Sequence, residues 1–297
     1  MRILVTGARG MLGRDLCSVL SARHRVTGVD RSEADITDLD AVRALVGNVR
    51  PDLVLHAAAF TDVDGAESRS EEARRVNTTG AWHLAMAAKE VRAGIAYVST
   101  DYVFDGAKGT VYAEGDRPNP INVYGETKLG GEHAVISLIS GSYIIRTSWL
   151  FAPHGKNFVN TILRLARERG HLEVVTDQVG TPTYTLDLAH AINAILASGV
   201  PGVYHVANDG PCSWFQFAGE ILRQTGTQAA LLPTTSDQFR RPARRPAYSA
   251  LSTERLTRRV GHWMRSWQAA LAECLARRRC APQEVPPCLA EVTGEVH

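Results

Sequence analysis

Short apolar runs alternate with segments of helical periodicity through the first half of this chain. The runs have the length and the continuous apolar character of buried strands, and the segments between them repeat apolar residues at helical spacing. This alternation predicts a doubly wound α/β fold, in which helices cover both faces of a parallel sheet. The predicted strands are residues 3–5, 26–29, 52–58, 94–100 and 143–149, and the predicted helices include residues 39–46, 71–91 and 123–138.

The pattern changes after residue 149. Helices are predicted at residues 157–165 and 186–196 and from a Ser213 cap to residue 223, with strands at residues 172–176 and 202–206. The division that follows from this change has a main domain over residues 1–150 with return segments at about 181–208, a smaller C-terminal domain mainly over residues 151–279, and a flexible tail over residues 280–297, which is rich in Pro and Glu.

Composition narrows the class of protein. The 297 residues are 44% hydrophobic and carry a net charge of +2, so the totals give no reason to expect a nucleic-acid or membrane partner. The five cysteines lack metal-like spacing, and we expect reduced thiols in a cytoplasmic protein. No metal ligands are predicted, and whether a divalent metal matters stays open. No apolar stretch reaches bilayer length, and the first predicted strand follows directly on Met1 and Arg2, so we expect neither a membrane span nor a signal peptide.

A glycine-rich turn joins the first predicted strand to a helical segment. Glycines such as Gly7, Gly10 and Gly13 let the backbone approach a pyrophosphate, and the helix N-terminus offers free N–H groups. The second apolar run ends at Asp30, roughly 20 residues past the turn, where a carboxylate accepts hydrogen bonds from ribose hydroxyls. Strand, turn, helix and acid together predict that residues 1–150 are a Rossmann dinucleotide-binding domain rather than a bare glycine turn.

A phenol and an ammonium lie four residues apart in the predicted helix 123–138. Tyr124 and Lys128 share a helix face, and we expect the ammonium to lower the pKa of the phenol toward the working pH. This spacing occurs by chance in many helices. However, Thr100 ends a predicted strand at the rim of the same crevice, where its hydroxyl either caps a turn or donates to the carbonyl oxygen that Tyr124 protonates. The combination favours a catalytic site.

These motifs resemble those of the extended short-chain dehydrogenase/reductases, which carry the same hydroxyl, tyrosine and lysine. Within that group the motifs most resemble those of the dTDP-4-dehydrorhamnose reductase family. Sugar-nucleotide dehydratases place two carboxylates after the threonine, whereas Tyr102 follows Asp101 here, so dehydration is not expected. The resemblance covers roughly residues 1–275. Its matching blocks are residues 57–64, 99–104, 122–128, 146–149 and 177–183, with a weaker block at Arg245, Pro246 and Ser249.

The resemblance implies NAD(P)H-dependent reduction of the C4 ketone of a dTDP-4-dehydro-6-deoxy-L-sugar, first of all dTDP-4-dehydrorhamnose, which gives dTDP-L-rhamnose. It implies that Tyr124 protonates the alkoxide, Lys128 orients the cofactor and Thr100 polarises the carbonyl. The implied cofactor contacts are Gly7, Gly10, Met11, Leu12, Gly13, Asp30, Arg31, Asp35, Ile36, Ala58, Ala59, Phe60, Thr61, Tyr124 and Lys128.

The smaller domain is expected to be a substrate-binding lid, and substrate contacts are expected from both domains. The resemblance implies Thr100, Asp101 and Trp149, although a tryptophan at a strand end is also typical of a core. Asn157 and Arg245 are candidates for the diphosphate, because amide and guanidinium donors suit phosphate oxygens, whereas the other interpretation of Arg245 is a solvated loop charge.

Four questions stay open at this stage. Asp30 would repel a 2′-phosphate and Arg31 could pair with it, so NADH is possible and NADPH is slightly favoured. Another dTDP-4-keto sugar of an antibiotic or dihydrostreptose-type pathway would use the same catalytic set. A non-catalytic regulatory subunit resembling the methionine adenosyltransferase beta subunit is a further alternative, against which the complete catalytic set argues. The helices at 71–91 and 123–138 could form a homodimer face.

Overall fold

The structure is a computed structural model that describes residues 1–280, so the predicted tail lies outside the described residues apart from its first residue. The strands are β1 (Arg2–Thr6), β2 (Arg25–Val29), β3 (Leu53–His56), β4 (Gly94–Thr100), β5 (Tyr143–Thr147), β6 (Leu150–Phe151), β7 (His171–Val175), β8 (Val179–Gly180), β9 (Thr183–Tyr184), β10 (Gly202–His205), β11 (Cys212–Ser213) and β12 (Ala230–Thr234). The helices are α1 (Met11–Ser21), α2 (Leu39–Val49), α3 (Val63–Ser68), α4 (Ser70–Arg74), α5 (Gly80–Glu90), α6 (Val123–Leu138), α7 (Phe158–Arg169), α8 (Thr185–Ser198), α9 (Trp214–Thr225), α10 (Glu254–Val260) and α11 (Trp267–Cys280).

Six strands form one parallel sheet in the order β10-β5-β4-β3-β1-β2. The strand order reverses between β1 and β3, because the chain moves outward to β2 before it returns to the other side of β1. Ligands of such sheets bind beyond the carboxyl ends of the strands at this point. The predicted doubly wound parallel sheet is confirmed.

Apolar side chains pack on both faces of this sheet. One layer joins α1 and α8 to the sheet, with Leu16 and Ile192 fully buried, and the other joins α2, α5 and α6, with Val46 and Leu84 fully buried. A separate apolar cluster forms in the second half of the chain from α7, α9 and α11 around Phe217. The chain returns to the main sheet through α8 and β10. The predicted domain boundaries agree with this description but stay a prediction.

The predicted helix at 71–91 is interrupted. It consists of α4, a π-helical turn over Arg75–Thr79, and α5. The buried Asn77 lies in this turn, where its amide accepts from Phe60 N at 2.8 Å and donates to Thr127 Oγ1 at 3.0 Å. Single π turns of this kind often occur at functional sites. The Asn77 side chain in this turn therefore connects the segment after β3 to helix α6.

The second half contains elements that were not predicted. Strand β12 pairs with β7, and helices α10 and α11 follow where the apolar spacing is weak. Within residues 1–280, no helix is long and apolar enough to cross a membrane.

Candidate active site

A cleft of about 770 Å³ opens at the carboxyl ends of the parallel strands. This volume is within the range of small-molecule and cofactor sites. All the predicted cofactor residues line it, and so do the predicted catalytic residues together with Asp101 and Trp149. The fold therefore brings these side chains together around one space, although they come from six separate stretches of the chain.

The glycines of the turn are required by close backbone contacts. Gly7 has a φ of 72°, and a Cβ there would lie 2.7 Å from Ala58 N at the end of β3. A Cβ at Gly13 would lie 2.0 Å from Gly7 O. The first residues of α1, Met11 and Leu12, line the cleft directly after this turn. A helix N-terminus at such a position attracts phosphate oxygens, so the turn fits the pyrophosphate of a dinucleotide.

Two charged residues at the predicted adenosine end of the cleft already have protein partners. Asp30 Oδ2 accepts from Arg9 N at 2.6 Å, and Arg31 Nε lies 3.2 Å from Asp35 Oδ2. The Arg31 side chain is 80% exposed, so it is free to turn toward a ligand. Hydrogen bonds from Thr37 hold the pKa of the Asp35 carboxyl below its usual value, chiefly through the Thr37 N–H.

Helix α6 presents the phenol and the ammonium to the cleft. Asn122 caps this helix, since its Oδ1 accepts from Gly125 N at 2.8 Å. Gly125 lies directly against the chain after β4, where a Cβ would lie 2.1 Å from Tyr102 O. Thr100 ends β4 and caps the 3₁₀ turn Asp101–Val103, because its Oγ1 accepts from Tyr102 N at 3.2 Å. This hydroxyl thus caps a turn and also lines the cleft, while its donation to a carbonyl oxygen stays a prediction.

The expected lowering of the Tyr124 pKa is wrong for this structure. Burial raises the pKa of Tyr124 to about 12, against an opposing hydrogen bond with Thr100. Lys128 Nζ donates to Val98 O at 2.7 Å and lies 4.1 Å from the centre of the Tyr97 ring. Burial lowers the pKa of Lys128 to about 7, and the nearby Glu132 opposes this shift. Tyr124 is therefore a neutral phenol at neutral pH, which is the proton-donating form.

Asp101 is a buried carboxyl at the substrate end of the cleft. It accepts from Ser249 Oγ at 2.5 Å and from Thr100 Oγ1 at 3.1 Å. Burial raises the pKa of Asp101 to about 7, although both hydrogen bonds favour the charged form. Asp101 is thus close to its titration midpoint at neutral pH. It can therefore accept a hydrogen bond from a polar ligand or donate one to it.

Trp149 belongs to a pair of stacked indoles. Its ring lies parallel to that of Trp214, with 3.5 Å between ring centres and 7° between ring planes. Trp149 has a φ of 46°, which is uncommon for a bulky residue and marks local strain. Both rings line the cleft. The sequence analysis missed Trp214, because no local pattern relates it to Trp149.

Two predicted substrate residues lie apart from the cleft surface. Of the residues that the structure describes, those lining the cleft do not include Asn157 or Arg245. Asn157 caps α7 and donates to Ala152 O at 3.0 Å. Arg245 forms a two-point ion pair with Asp64, at 2.9 and 3.0 Å. Their role toward the diphosphate stays a prediction, and the structure gives both side chains other partners.

Thr147 and Lys156 line the cleft without having been predicted. Thr147 is the register partner of Thr100 in the sheet. Among residues 1–280, its buried Oγ1 has no hydrogen-bond partner. Buried hydroxyls are generally paired, so a polar group of a bound ligand is the expected partner. Within the same described range, no group of three or more His, Cys, Asp or Glu residues could hold a metal ion.

Comparison with known proteins gives a consistent set of relatives. A family model described as the RmlD substrate binding domain matches residues 1–280. The spore coat polysaccharide biosynthesis protein SpsK of Bacillus subtilis is 41% identical over 281 residues, which cover 94% of this chain and 99% of the relative. The dTDP-4-dehydrorhamnose reductase of Mycolicibacterium smegmatis is 42% identical over 280 residues, which cover 93% of this chain and 85% of the relative.

Two further proteins bear on the substrate and the cofactor. The dTDP-4-keto-6-deoxy-D-glucose reductase of Streptomyces niveus is 38% identical over 275 residues, which cover 92% of this chain and 96% of the relative. A crystal structure of the dTDP-4-dehydrorhamnose reductase of Bacillus anthracis in complex with NADP is similar with a TM-score of 0.91 and 39% identity. The match covers 93% of this chain and 99% of that structure.

Proposed function

This chain belongs to the RmlD family of dTDP-4-dehydrorhamnose reductases, and from that premise we propose that it is an oxidoreductase that reduces the C4 ketone of dTDP-4-dehydrorhamnose to give dTDP-L-rhamnose, with NADPH as the reductant. The observation that carries the proposal is the arrangement of Thr100, Tyr124 and Lys128 in the cleft that the glycine turn adjoins. A regulatory subunit would not need this set, and the three relatives described above whose names state an activity are all reductases.

The residues at the switch point fit a dinucleotide. The close backbone contacts of Gly7 and Gly13 leave no room for a side chain at either position, and the N-terminus of α1 supports negative charge. We propose that Asp30 and Arg31 hold the adenosine ribose and its 2′-phosphate, in line with the NADP of the Bacillus anthracis relative. When bound, NADPH supplies the hydride that reduces the ketone carbon.

The chain's own residues handle the oxygen of the ketone. In this proposal Thr100 donates a hydrogen bond to the carbonyl oxygen, and Tyr124 transfers its proton to that oxygen as negative charge develops there. Lys128 orients the nicotinamide end of the cofactor. Because Tyr124 is neutral at pH 7, it carries the proton that reduction requires.

The sugar is proposed to lie between the catalytic hydroxyls and the stacked indoles. Trp149 and Trp214 offer apolar ring surface for the deoxysugar, and Asp101 with Ser249 offers polar groups for its hydroxyls. This arrangement assigns specificity to residues from both halves of the chain.

A second candidate substrate is dTDP-4-keto-6-deoxy-D-glucose, because the Streptomyces niveus relative is named for its reduction. The test is a panel of dTDP-4-keto sugars scored by NADPH consumption. We expect the highest kcat/KM with dTDP-4-dehydrorhamnose. If this compound is not turned over while another keto sugar is, the first assignment is wrong and the second replaces it.

We also propose a cytoplasmic homodimer. Trp82 on α5 and Ile136 on α6 are 38% and 44% exposed, so these helices present apolar surface to a second copy. The cysteines Cys17, Cys212 and Cys274 are free thiols, as in a reducing compartment. Light scattering of the purified protein tests the dimer, which a monomeric mass at micromolar concentration would contradict. Fractionation of cells tests the location.

A further inference from the structure

Helix α6 carries a third charged group in line with the proposed catalytic pair. Tyr124, Lys128 and Glu132 are spaced by four residues, so all three lie along one face of the helix. The Glu132 side chain is only 2% exposed, and the Arg146 side chain that pairs with it is 5% exposed. Burying two charges costs several kcal/mol of solvation, which their mutual attraction repays only in good geometry. A pair in this position therefore calls for an explanation beyond stability.

Glu132 connects α6 to the two strands that carry the cleft threonines. Its Oε1 accepts from Ser99 Oγ at 2.5 Å and from Arg146 Nε at 2.9 Å, and its Oε2 accepts from Arg146 Nη2 at 2.7 Å. Ser99 and Arg146 are register partners on β4 and β5. The next residue on each strand is Thr100 or Thr147, which lines the cleft. Ser99 itself also lines the cleft, so the network reaches the cleft wall directly beside these threonines.

The groups that face Lys128 give Glu132 a second effect. On β3 and β4, His56 and Tyr97 are buried and uncharged: burial lowers the pKa of His56 to about 3 and raises that of Tyr97 well above its usual value. On α6 itself, Tyr124 is neutral at pH 7. Arg146 on β5 lies across the carboxylate of Glu132. Within the described residues, Glu132 is the carboxylate whose charge opposes the effect of burial on Lys128.

We propose that Glu132 is a positioning residue, which holds α6 against β4 and β5 and places a negative charge one helical turn from the Lys128 ammonium, which that charge stabilises. The effect of Glu132 on catalysis rests on the proposed function, because it requires that Lys128 takes part in catalysis. In the proposed mechanism Glu132 itself touches neither substrate nor cofactor. It acts through Lys128, whose charge orients the cofactor, and through the strands that carry Thr100 and Thr147.

The first test measures Lys128 directly and needs no sugar substrate. The chain has four lysines, so protein labelled with ¹³C at lysine Cε gives few signals, and the Lys128 signal is assigned by its loss in Lys128→Met. We expect Glu132→Gln to lower the Lys128 midpoint by about one pH unit or more, because the carboxylate that favours the charged form of Lys128 is lost. Ser99→Ala, the control, removes a hydrogen bond to Glu132 but no charge, so the midpoint should stay.

The second test is the pH profile of kcat/KM. Glu132→Gln should move the alkaline limb to lower pH, and at pH values above both midpoints the rate should fall about tenfold for every pH unit by which the limb moves. Glu132→Asp keeps the charge and should restore the position of the limb. If Glu132→Gln does not fold because Arg146 is left unpaired, the double variant Glu132→Gln/Arg146→Met removes both charges and should still lower the Lys128 midpoint.

The outcomes separate this inference from the proposed function. An unchanged Lys128 midpoint in a folded variant without the Glu132 carboxylate overturns the inference, even if the wild type reduces the sugar. A uniform loss of rate at every pH would also overturn the charge role and leave only a structural one. A wild-type protein that reduces none of the sugars defeats the proposed function, while the titration of Lys128 still reports on Glu132.

Discussion

At the scale of single residues, the protonation state of Tyr124 decides what the site can do. Burial raises its pKa to about 12, so the phenol holds its proton at neutral pH. Reduction of a ketone produces an alkoxide that needs one proton, and a neutral phenol beside Thr100 can deliver it. The raised pKa keeps the phenol protonated at neutral pH, whereas the lowered value that the spacing of Tyr124 and Lys128 predicts would make it a stronger acid.

The first prediction concerns this proton. Tyr124→Phe should lower kcat by about 10²-fold to 10⁴-fold, the range of general acid catalysis, because the ring remains but the donor is lost. NADPH affinity, measured by fluorescence titration, should stay within about twofold, since the variant fills the same buried space. Steady-state kinetics with the best sugar of the panel gives kcat. Turnover equal to that of the wild type would remove Tyr124 from the mechanism.

At the scale of elements, helix α6 depends on unusually close packing. A Cβ at Gly131 would lie 2.3 Å from Tyr97 Oη and 2.5 Å from Asn77 O. The helix therefore lies directly on β4 and on the π-helical turn that Asn77 anchors. This contact brings Tyr124 and Lys128 to the strand ends, and a side chain at residue 131 would push them away.

The second prediction compares two glycines in helices. Gly131→Ala should lower the free energy of unfolding by about 1–3 kcal/mol, because the added methyl group overpacks the contact. Gly47→Ala is the matched control: it lies in α2 with open space around it, so alanine should stabilise by about 0.5–1 kcal/mol through its better helix propensity. Urea unfolding followed by circular dichroism measures both. The same sign for the two variants would contradict the packing argument.

The π-helical turn shows the limit of periodicity at this scale. Apolar spacing predicted one helix over residues 71–91, and the apolar side chains do face the sheet. The extra residue per turn arises because Asn77 bonds to Phe60 and Thr127, which are 17 and 50 residues away along the chain. The spacing of apolar residues indicates which face of a helix is buried, but it does not indicate a hydrogen bond to a distant segment of the chain.

At the scale of the whole molecule, the chain after residue 240 ties the two halves together beside the cleft. Asp64 at the start of α3 binds Arg245, which is 181 residues further along. Asn122, the cap of α6, donates to Arg244 O at 2.8 Å, and Ser249 donates to Asp101. These contacts hold one loop against the start of α3, the start of α6 and the end of β4.

The third prediction is a double-mutant cycle across this tie. Asp64→Asn and Arg245→Met should show a coupling of about 1–2 kcal/mol in the free energy of unfolding, since the pair is bidentate but still partly exposed, at 23% and 12%. The control pair Glu254 and Arg258 on α10 is 63% and 72% exposed, so its coupling should be close to zero. Equal coupling in the two cycles would show that the tie has no special role.

A conservative variant at the same position tests the second function suggested for Arg245. If Arg245 serves only the tie, a folded Arg245→Lys variant keeps the KM for the sugar nucleotide within about threefold. If the guanidinium also binds the diphosphate, KM rises by about tenfold or more, because a lysine cannot reproduce a two-point contact.

The sequence by itself determined the sheet, the dinucleotide site and the proposed catalytic set. Each is encoded in a short stretch of sequence: the glycine turn joins a strand to a helix, Tyr124 and Lys128 share one helix, and Thr100 ends a strand. The predicted bounds of β4 and α6 are the observed ones. Because the carboxyl ends of parallel strands meet at one edge, these local signals also predicted a common cleft.

Only the tertiary structure decided the partners within that cleft. Trp214 stacks on Trp149, Ser249 reaches Asp101 across 148 residues, and Lys128 donates to Val98 O. The reason is physical: burial and long-range contacts set the pKa values and the shape of the sugar site, and both depend on segments that no local spacing relates.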